Sequence, residues 1–459
     1  MRTLTRRSSV FLLLAALISA GMARGGEEDA TDRLRVMVET DAGGDPDDEQ
    51  SLVRFLLYAD VWDVEGIIAN RPVARRGENL NPVRDGLGIV RRLVDAYGQV
   101  VDNLRRHDPN YPSRRTLWDR TVSGYADSEA GVKLIIEAVD RDDPRPVWFM
   151  NWGTDHGSDP SSLKRALDKV LAERGAEGYA KFKDKIRLSS SDKFGDHTGR
   201  IAPPWRLWVY PSMPDMDGGR WYHRFSPLTA TAGGFDLRRD VLTGHGPLGA
   251  LYPTNTNRPQ KEGDSGMFLY LIPTGMNDPT HPEWGSWAGR FGVRDDLQPR
   301  RPTYYWANQR DSRQGETNRD NTLKRWAADV QNDFKARMDW CVKPRGEANH
   351  PPVPALDGDS GRSISTITAR PGATVALSAR GSTDPDDDDA LSYDWHAYPE
   401  AGTYPAAPPI EGATTPEARV IVPDDAGGKD VHVILTVRDD GTPPLARYRR
   451  VIIRAAAED

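Results

Sequence analysis

The pattern of apolar residues changes once along this chain, near residue 341, and that change restricts it to two kinds of domain. Before it, strand-like and helix-like segments take turns. "RLRVMVET" is a short apolar run, "DEQSLVRFLLYADV" has helical spacing, and "VEGIIA" is a second strand. "GLGIVRRLVDAYGQVVDNL" carries apolar residues at helical spacing. "SEAGVKLIIEAVD" opens on Ser128, a cap residue, and places Val132, Ile135, Ile136 and Val139 on one face. "PVWFMNWG" is a buried-type strand. "SSLKRALDKVLAE" is amphipathic through Leu163, Leu167, Val170 and Leu171, and "KDKIRLSSSD" and "RLWVYPS" are further strands. Such alternation predicts an α/β domain over residues 32–342, a mostly parallel sheet flanked by helices. Ligands in such folds gather at the carboxyl ends of the strands. Residues 201–262, rich in Gly, Pro and Trp, show no period and are expected to form substrate loops.

After the change the pattern is all-β. Pro, Gly and polar residues fill 343–360, which reads as a linker. "ATVALSA", "LSYDWHAY", "EARVIVP", "DVHVILTVRD" and "RYRRVIIRA" then follow with turn signals between them. Residues 361–457 are expected to form a β-sandwich of the immunoglobulin or cadherin type.

The first 23 residues read as a signal peptide. Arg2, Arg6 and Arg7 precede "VFLLLAALISA", which is too short to span a bilayer, and "GMA" offers a small-residue cleavage site. The expected location is therefore periplasmic or secreted, with no membrane span once the signal is removed. Losing those three arginines leaves the chain more acidic than its formal charge of -7. That balance argues against nucleic acid as a partner. Cys341 is the only cysteine, so no disulfide can form within the chain.

The densest chemistry lies where the first strand meets the first helix, in "ETDAGGDPDDEQ". Asp45 as cap, Pro46 as first helical residue, and Asp47 and Asp48 beside the helix dipole would explain three of its four aspartates. Asp41 is left over. Converging carboxylates repel one another unless a cation sits among them, and hard oxygen ligands suit calcium.

The turn resembles the calcium-binding signature Asp-Thr-Asp-Pro-Gly-x-Asp-Asp of nucleoside hydrolases, here lengthened by two residues and opening on Glu39. A subfamily is closer still: the nucleoside hydrolase-like domain of exported bacterial proteins described as cellulose-binding. It is similar in "PDDEQSLVRFLLYADVWDVEGIIA", "NLRRHDPNYPS", "GYADSEAGVKLIIEAVDRDDPRPVWFMNWG" and "GDSGMFLYLIPTGMNDPTHPEWGSWAGRFG". Its members also carry a C-terminal sandwich resembling "STDPDDDDALSYDWHAYPEAGTY".

The resemblance implies a calcium ion held by Asp41, Asp48, Asp264 and a backbone carbonyl near Asn151, Gly153 or Thr154, with Thr154 as the named ligand. It implies that Asp41 deprotonates a bound water and that Asp47 holds a sugar hydroxyl. Asn151 and Glu262 are further expected substrate contacts. Many nucleoside hydrolases place a histidine beside the late aspartate as the acid for the leaving base. Here Gly263 and Glu262 stand there, so Glu283 and His281 become the candidate acids, with His156 and His245 behind them. Trp284, Trp287 and Arg290 are candidates for a sugar platform. In the sandwich, Asp384, Asp386 and Asp388 are candidates for a second calcium, and Trp395, Tyr398 and Tyr404 for sugar stacking.

The function expected from all this is an exported calcium-dependent glycosidase that hydrolyses an N- or O-glycosidic bond with metal-activated water. The alternative is a non-catalytic protein that binds cellulose or another polysaccharide in the same pocket. The expected partner is a sugar, a glycoside or a polysaccharide, and a homo-oligomer is left open.

Overall fold

A computed structural model describes residues 33–153, 161–190, 206–208, 221–258, 260–293, 305–306, 309–386 and 389–457. The signal-peptide expectation, Thr154, His156 and Asp388 lie outside these described residues.

Strands β1 (Leu34–Thr40), β2 (Trp62–Ala69), β3 (Thr121–Ser123), β4 (Val147–Asn151), β5 (Ile186–Ser190), β6 (Arg206–Trp208), β7 (Gly292–Val293) and β8 (Tyr305–Trp306) form one sheet. Its order is β3-β2-β1-β4-β5-β6-β8-β7, parallel throughout except at β7. Successive side chains of a strand point to opposite faces, and both faces are covered. Val36, Val38 and Met150 pack with helices α1 (Asp47–Leu57) and α2 (Gly86–Gly98). Met37, Val147 and Phe149 pack on the other side, against the helices of 130–140 and 162–184. The predicted alternation is thus real. The stretch around "DAYGQVVDNL" differs, because the helix breaks after Gly98 and a new one, α3, runs from Val101 to His107.

Three further helices matter below: α4 (Ala130–Asp140), α5 (Ser265–Leu269) and α6 (Ala327–Trp340). α1 is buried at every residue, although it holds Asp47, Asp48, Glu49 and Arg54. Burial of that many charges requires partners, and these determine the site.

The C-terminal part is a two-sheet sandwich. In chain order its strands are β9 (Ser365–Ala369), β10 (Thr374–Ser378), β11 (Ser392–Ala397), β12 (Ile410–Glu411), β13 (Glu417–Ile421), β14 (Asp430–Arg438) and β15 (Ala446–Ala455). One sheet runs β9-β15-β14-β11 and the other β10-β13-β12. Val431, Val433, Leu435 and Val437 of β14, with Val451 and Ile453 of β15, fill the space between the sheets. The intervening residues Ile434, Ala446 and Tyr448 join the core of the α/β domain instead. The central pair of this sheet is therefore buried on both faces.

Polar bonds tighten the seam. The Tyr448 hydroxyl donates to Asp329 at 2.5 Å, Arg438 pairs with Asp329 at 2.6 Å and Arg447 with Asp333 at 2.7 Å. Residues 343–360 are not the loose linker expected from composition. Asn349, His350, Ala355 and Leu356 are buried, and the His350 ring stacks on His107 and Trp340. The Asn349 amide donates to Asp439 and to the Pro443 carbonyl. Trp395 and Tyr404 fill the sandwich core, and Tyr398 is buried at the seam with its hydroxyl on Asp311, so none of the three is a stacking platform. Among the described residues no helix is long and apolar enough to cross a membrane.

Candidate functional site

β1 pairs with β2 on one side and β4 on the other, so the sheet order reverses direction at β1. Crevices form at the carboxyl ends of strands at such a point. Asp41 follows β1, Asn70 and Arg71 follow β2, and Asn151 ends β4. The ladder continues past the strands, with Asn70 N–H on the Thr40 carbonyl and Trp152 N–H on that of Glu39. The Asn70 amide donates to the Gly153 carbonyl at 2.6 Å. Gly43, with φ at 97°, supplies the left-handed turn that swings the chain from Asp41 towards α1.

One carboxylate oxygen from each of Asp47, Asp48 and Asp264 lies within 4.8 Å of the others, and all three residues are buried. Burial pushes the Asp48 carboxyl well above its usual range, and repulsion from Asp41, Asp264 and Asp47 adds to it. Asp264 is raised by burial and then by Asp47 and Asp41. Asp47 rises to about 7 through burial, although Lys261 opposes the shift. Glu49 also reaches about 7 by burial. Desolvated carboxylates that raise one another even beside Lys261 are short of positive charge, so the donor set fits a hard divalent cation.

Two fixed cations complete the pocket. Arg71 pairs with Asp41 Oδ2 at 2.8 Å and also donates to the Asp41 carbonyl. The Lys261 ammonium contacts Asp45, and Asp47 Oδ2 at 3.1 Å. Asp45 therefore pairs with lysine and makes no helix cap: α1 starts at Asp47 with no side-chain cap bond. Asp264 precedes α5 without a cap bond either, which leaves its carboxylate for the cluster. Thr40 donates its hydroxyl to Asp48.

Residues 35–291 match the family described as "Cellulose-binding Sde182, nucleoside hydrolase-like domain". The chain belongs to this Sde182 family. Residues 374–455 match its companion, "Cellulose-binding protein Sde0182, C-terminal domain". A solved structure with 33% identity covers 92% of this chain and 100% of its own, with a TM-score of 0.72. It is described as a nucleoside hydrolase-related hypothetical protein from Saccharophagus degradans that is associated with carbohydrate metabolism. The solution structure of the PKD domain from KIAA 1837 protein shares 21% identity over 23% of this chain and 89% of its own, at a TM-score of 0.17 that carries no argument. No curated protein matches.

In this Sde182 chain the fold brings Asp41, Asp47, Asp48, Asn151 and Asp264 to one end of the sheet, but the close cluster holds Asp47 where the resemblance implied Asp41, whose Oδ2 is taken by Arg71. It does not bring the other candidates there. Glu262 is fully buried, and its carboxylate accepts from Arg54, Tyr252, Gln260 and Ser265, which leaves it no capacity for a sugar. Trp287 is buried against Tyr448 of the sandwich. Arg290 is spent on Asp311 and on the carbonyls of Glu283, Arg310 and Glu400. Trp284 stacks on His281 at 3.8 Å between ring centres and meets His432 of the sandwich edge-on. His281 bonds Glu283 at 2.9 Å. These residues build the seam between domains. His245 faces Asp339 on α6.

Sequence reasoning missed Arg71, Lys261 and Asn70. A cue existed for two of them, since "ANRP" sits at the carboxyl end of β2, beside the acidic turn. Gly153, named above only for its carbonyl, has a further and measurable consequence. A Cβ there would lie 2.6 Å from Asp41 Oδ1. Gly153→Ala is expected to cost about 1–3 kcal/mol by overpacking. Urea unfolding should show the clash part of that cost vanish in an Asp41→Ala background, leaving only the strain of a side chain at φ 159°. An equal cost in both backgrounds would mean that Asp41 is not the neighbour that matters.

Proposed function

We propose that this protein binds a polysaccharide in the acidic pocket at the ends of β1, β2 and β4, with a divalent cation, calcium by its donor set, held by Asp47, Asp48 and Asp264. The observation that carries the proposal is the buried cluster of those three carboxylates with Arg71 and Lys261 at its edge. Bound calcium would supply coordination positions for sugar hydroxyls. The chain's own groups would do the rest. Arg71 and Lys261 orient Asp41 and Asp47, and those carboxylates accept hydrogen bonds from hydroxyls. The family's description as cellulose-binding supports a glucan among the partners to be tried first. An export signal over residues 1–23 would carry the chain to such a polymer.

A glycosidase remains the second reading, because one observation favours it. Arg71 ties Asp41 through Oδ2, while Oδ1 lies on the Gly153 side of the pocket. A carboxylate so placed could take a proton from water as it attacks the anomeric carbon. Against it, His281 and Glu283 bond each other beside Trp284, which packs on the sandwich, so the acid for a leaving group has no support from the acidic pocket.

Affinity electrophoresis through soluble glucans, and pull-down on cellulose, separate the two readings. Wild type is expected to be retarded in calcium and released by EDTA. Asp48→Ala should lose at least tenfold in retention, about 1.4 kcal/mol. No reducing ends should appear. Equal retention of the variant would overturn the binding site. Release of sugar by wild type but not by Asp41→Asn would replace binding by hydrolysis.

A further inference from the structure

The sandwich holds a second acidic cluster, and its members are not the ones the sequence suggested. Asp386 is engaged elsewhere: the His350 backbone N–H donates to its Oδ2 at 2.6 Å and the His350 ring meets its Oδ1 at 2.9 Å. The cluster is made by Asp384, Asp389 and Asp439, which offer carboxylate oxygens within 4.8 Å of one another. Asp389 lies on the same loop as Asp384. Asp439 comes from the far end of β14, about fifty residues later, so the fold rather than local sequence brings the three together.

The state of Asp439 points to a ligand. The residue is only 3% exposed. Its Oδ1 accepts from the Asn349 amide at 3.0 Å, Gly441 N–H at 3.1 Å and Leu445 N–H at 2.8 Å. Those bonds fix the carboxylate and leave Oδ2, which is buried with no hydrogen-bond partner. Asp384 repeats the pattern, with Oδ1 held by the Asp386 N–H and Oδ2 buried without a partner. A buried oxygen left unsatisfied costs about 1–3 kcal/mol, and more when charged. Two of them beside a third carboxylate call for a cation.

We propose that Asp384, Asp389 and Asp439 form a calcium site that fastens the sandwich's acidic loop at the junction of the two domains. Oxygens within 4.8 Å of one another can all reach one calcium ion at its bond length of ~2.3–2.6 Å, and loop carbonyls and water would complete its ~6–8 ligands. Asn349 and His350, which hold Asp439 and Asp386, belong to the connection between the domains. Calcium there joins the loop, the end of β14 and the connection into one unit. This site is separate from the pocket proposed above and does not depend on it.

The test is titration calorimetry of the full chain with calcium chloride after EDTA treatment. Asp384→Asn combined with Asp389→Asn is expected to bind one calcium fewer than wild type. Both residues are only half-buried loop positions, and neutralising them relieves carboxylate repulsion, so the variant should unfold in EDTA at or above the wild-type midpoint and gain less from calcium. Asp48→Asn alters the other cluster and should leave this site intact. Unchanged calcium stoichiometry and affinity in the double variant would overturn the proposal. So would a calcium-induced rise in unfolding midpoint that the double variant keeps in full.

Discussion

Glu262→Gln is expected to destabilise the protein by about 3–5 kcal/mol, the penalty of leaving one member of a buried ion pair alone. Arg54 and Glu262 are both fully buried, and their groups meet at 2.6 Å and 3.0 Å. The guanidinium also bonds Gln331 and lies 3.7 Å over the Phe334 ring, so it cannot swing out to water. Glutamine would strand that charge and turn a donor towards at least one of Tyr252, Gln260 and Ser265. Urea denaturation measures the loss. Glu262 lies two residues before Asp264, so cation affinity should fall with it. A variant with wild-type stability but weakened polysaccharide retention would restore the sugar-contacting role first expected of Glu262.

The second large effect is linked to pH. Asp47 and Glu49, with ordinary values of 3.8 and 4.5, rise to about 7 in the folded chain, and Asp48 and Asp264 are raised as well. Their folded values lie above their unfolded ones. Between about pH 4 and 7 the folded state therefore holds protons that the unfolded chain has released, and stability falls as pH rises through that window. A cation takes the place of those protons. In EDTA the unfolding free energy should drop between pH 5 and pH 8. Calcium at a hundred times its Kd should return about 2.7 kcal/mol at pH 8, and less at pH 5. The double variant Asp384→Asn and Asp389→Asn is the right background, since it removes the junction site. Adding Asp48→Asn should abolish the calcium effect and lessen the pH dependence, which Asp47, Glu49 and Asp264 keep in part. A calcium effect of the same size at pH 5 and pH 8 would mean that protons and cation do not compete for this cluster.

The sheet and its acidic end were legible in the sequence because both are local in origin. Short apolar runs marked β1, β2 and β4, and an apolar period of 3.6 marked the helices between them. Asp41 and Asn151 could be placed because they end strands. The failures share another cause. Trp284, Trp287 and Arg290 look like a sugar platform until Tyr448, Glu400 and Arg450 arrive from the sandwich more than a hundred residues later. Glu262 reads as a site residue because it neighbours Asp264, and only Arg54 of α1, far back in the chain, reveals its structural use. Buried ion pairs of high sequence separation leave no periodic trace. The same holds for Lys261, whose partner Asp45 is 216 positions away.

The central strands β14 and β15, covered on both faces, bear on how the chain can be engineered. A cut within 343–360 would look like a cut between modules, yet it would open one shared interior. The α/β half would be left with Asp329 and Asp333 deprived of Arg438 and Arg447. The other half would present Ile434, Ala446 and Tyr448 to water. The sandwich is thus unsuited to use as a detachable affinity tag. Fusion partners belong beyond the carboxyl end of β15, where the shared interior stays closed.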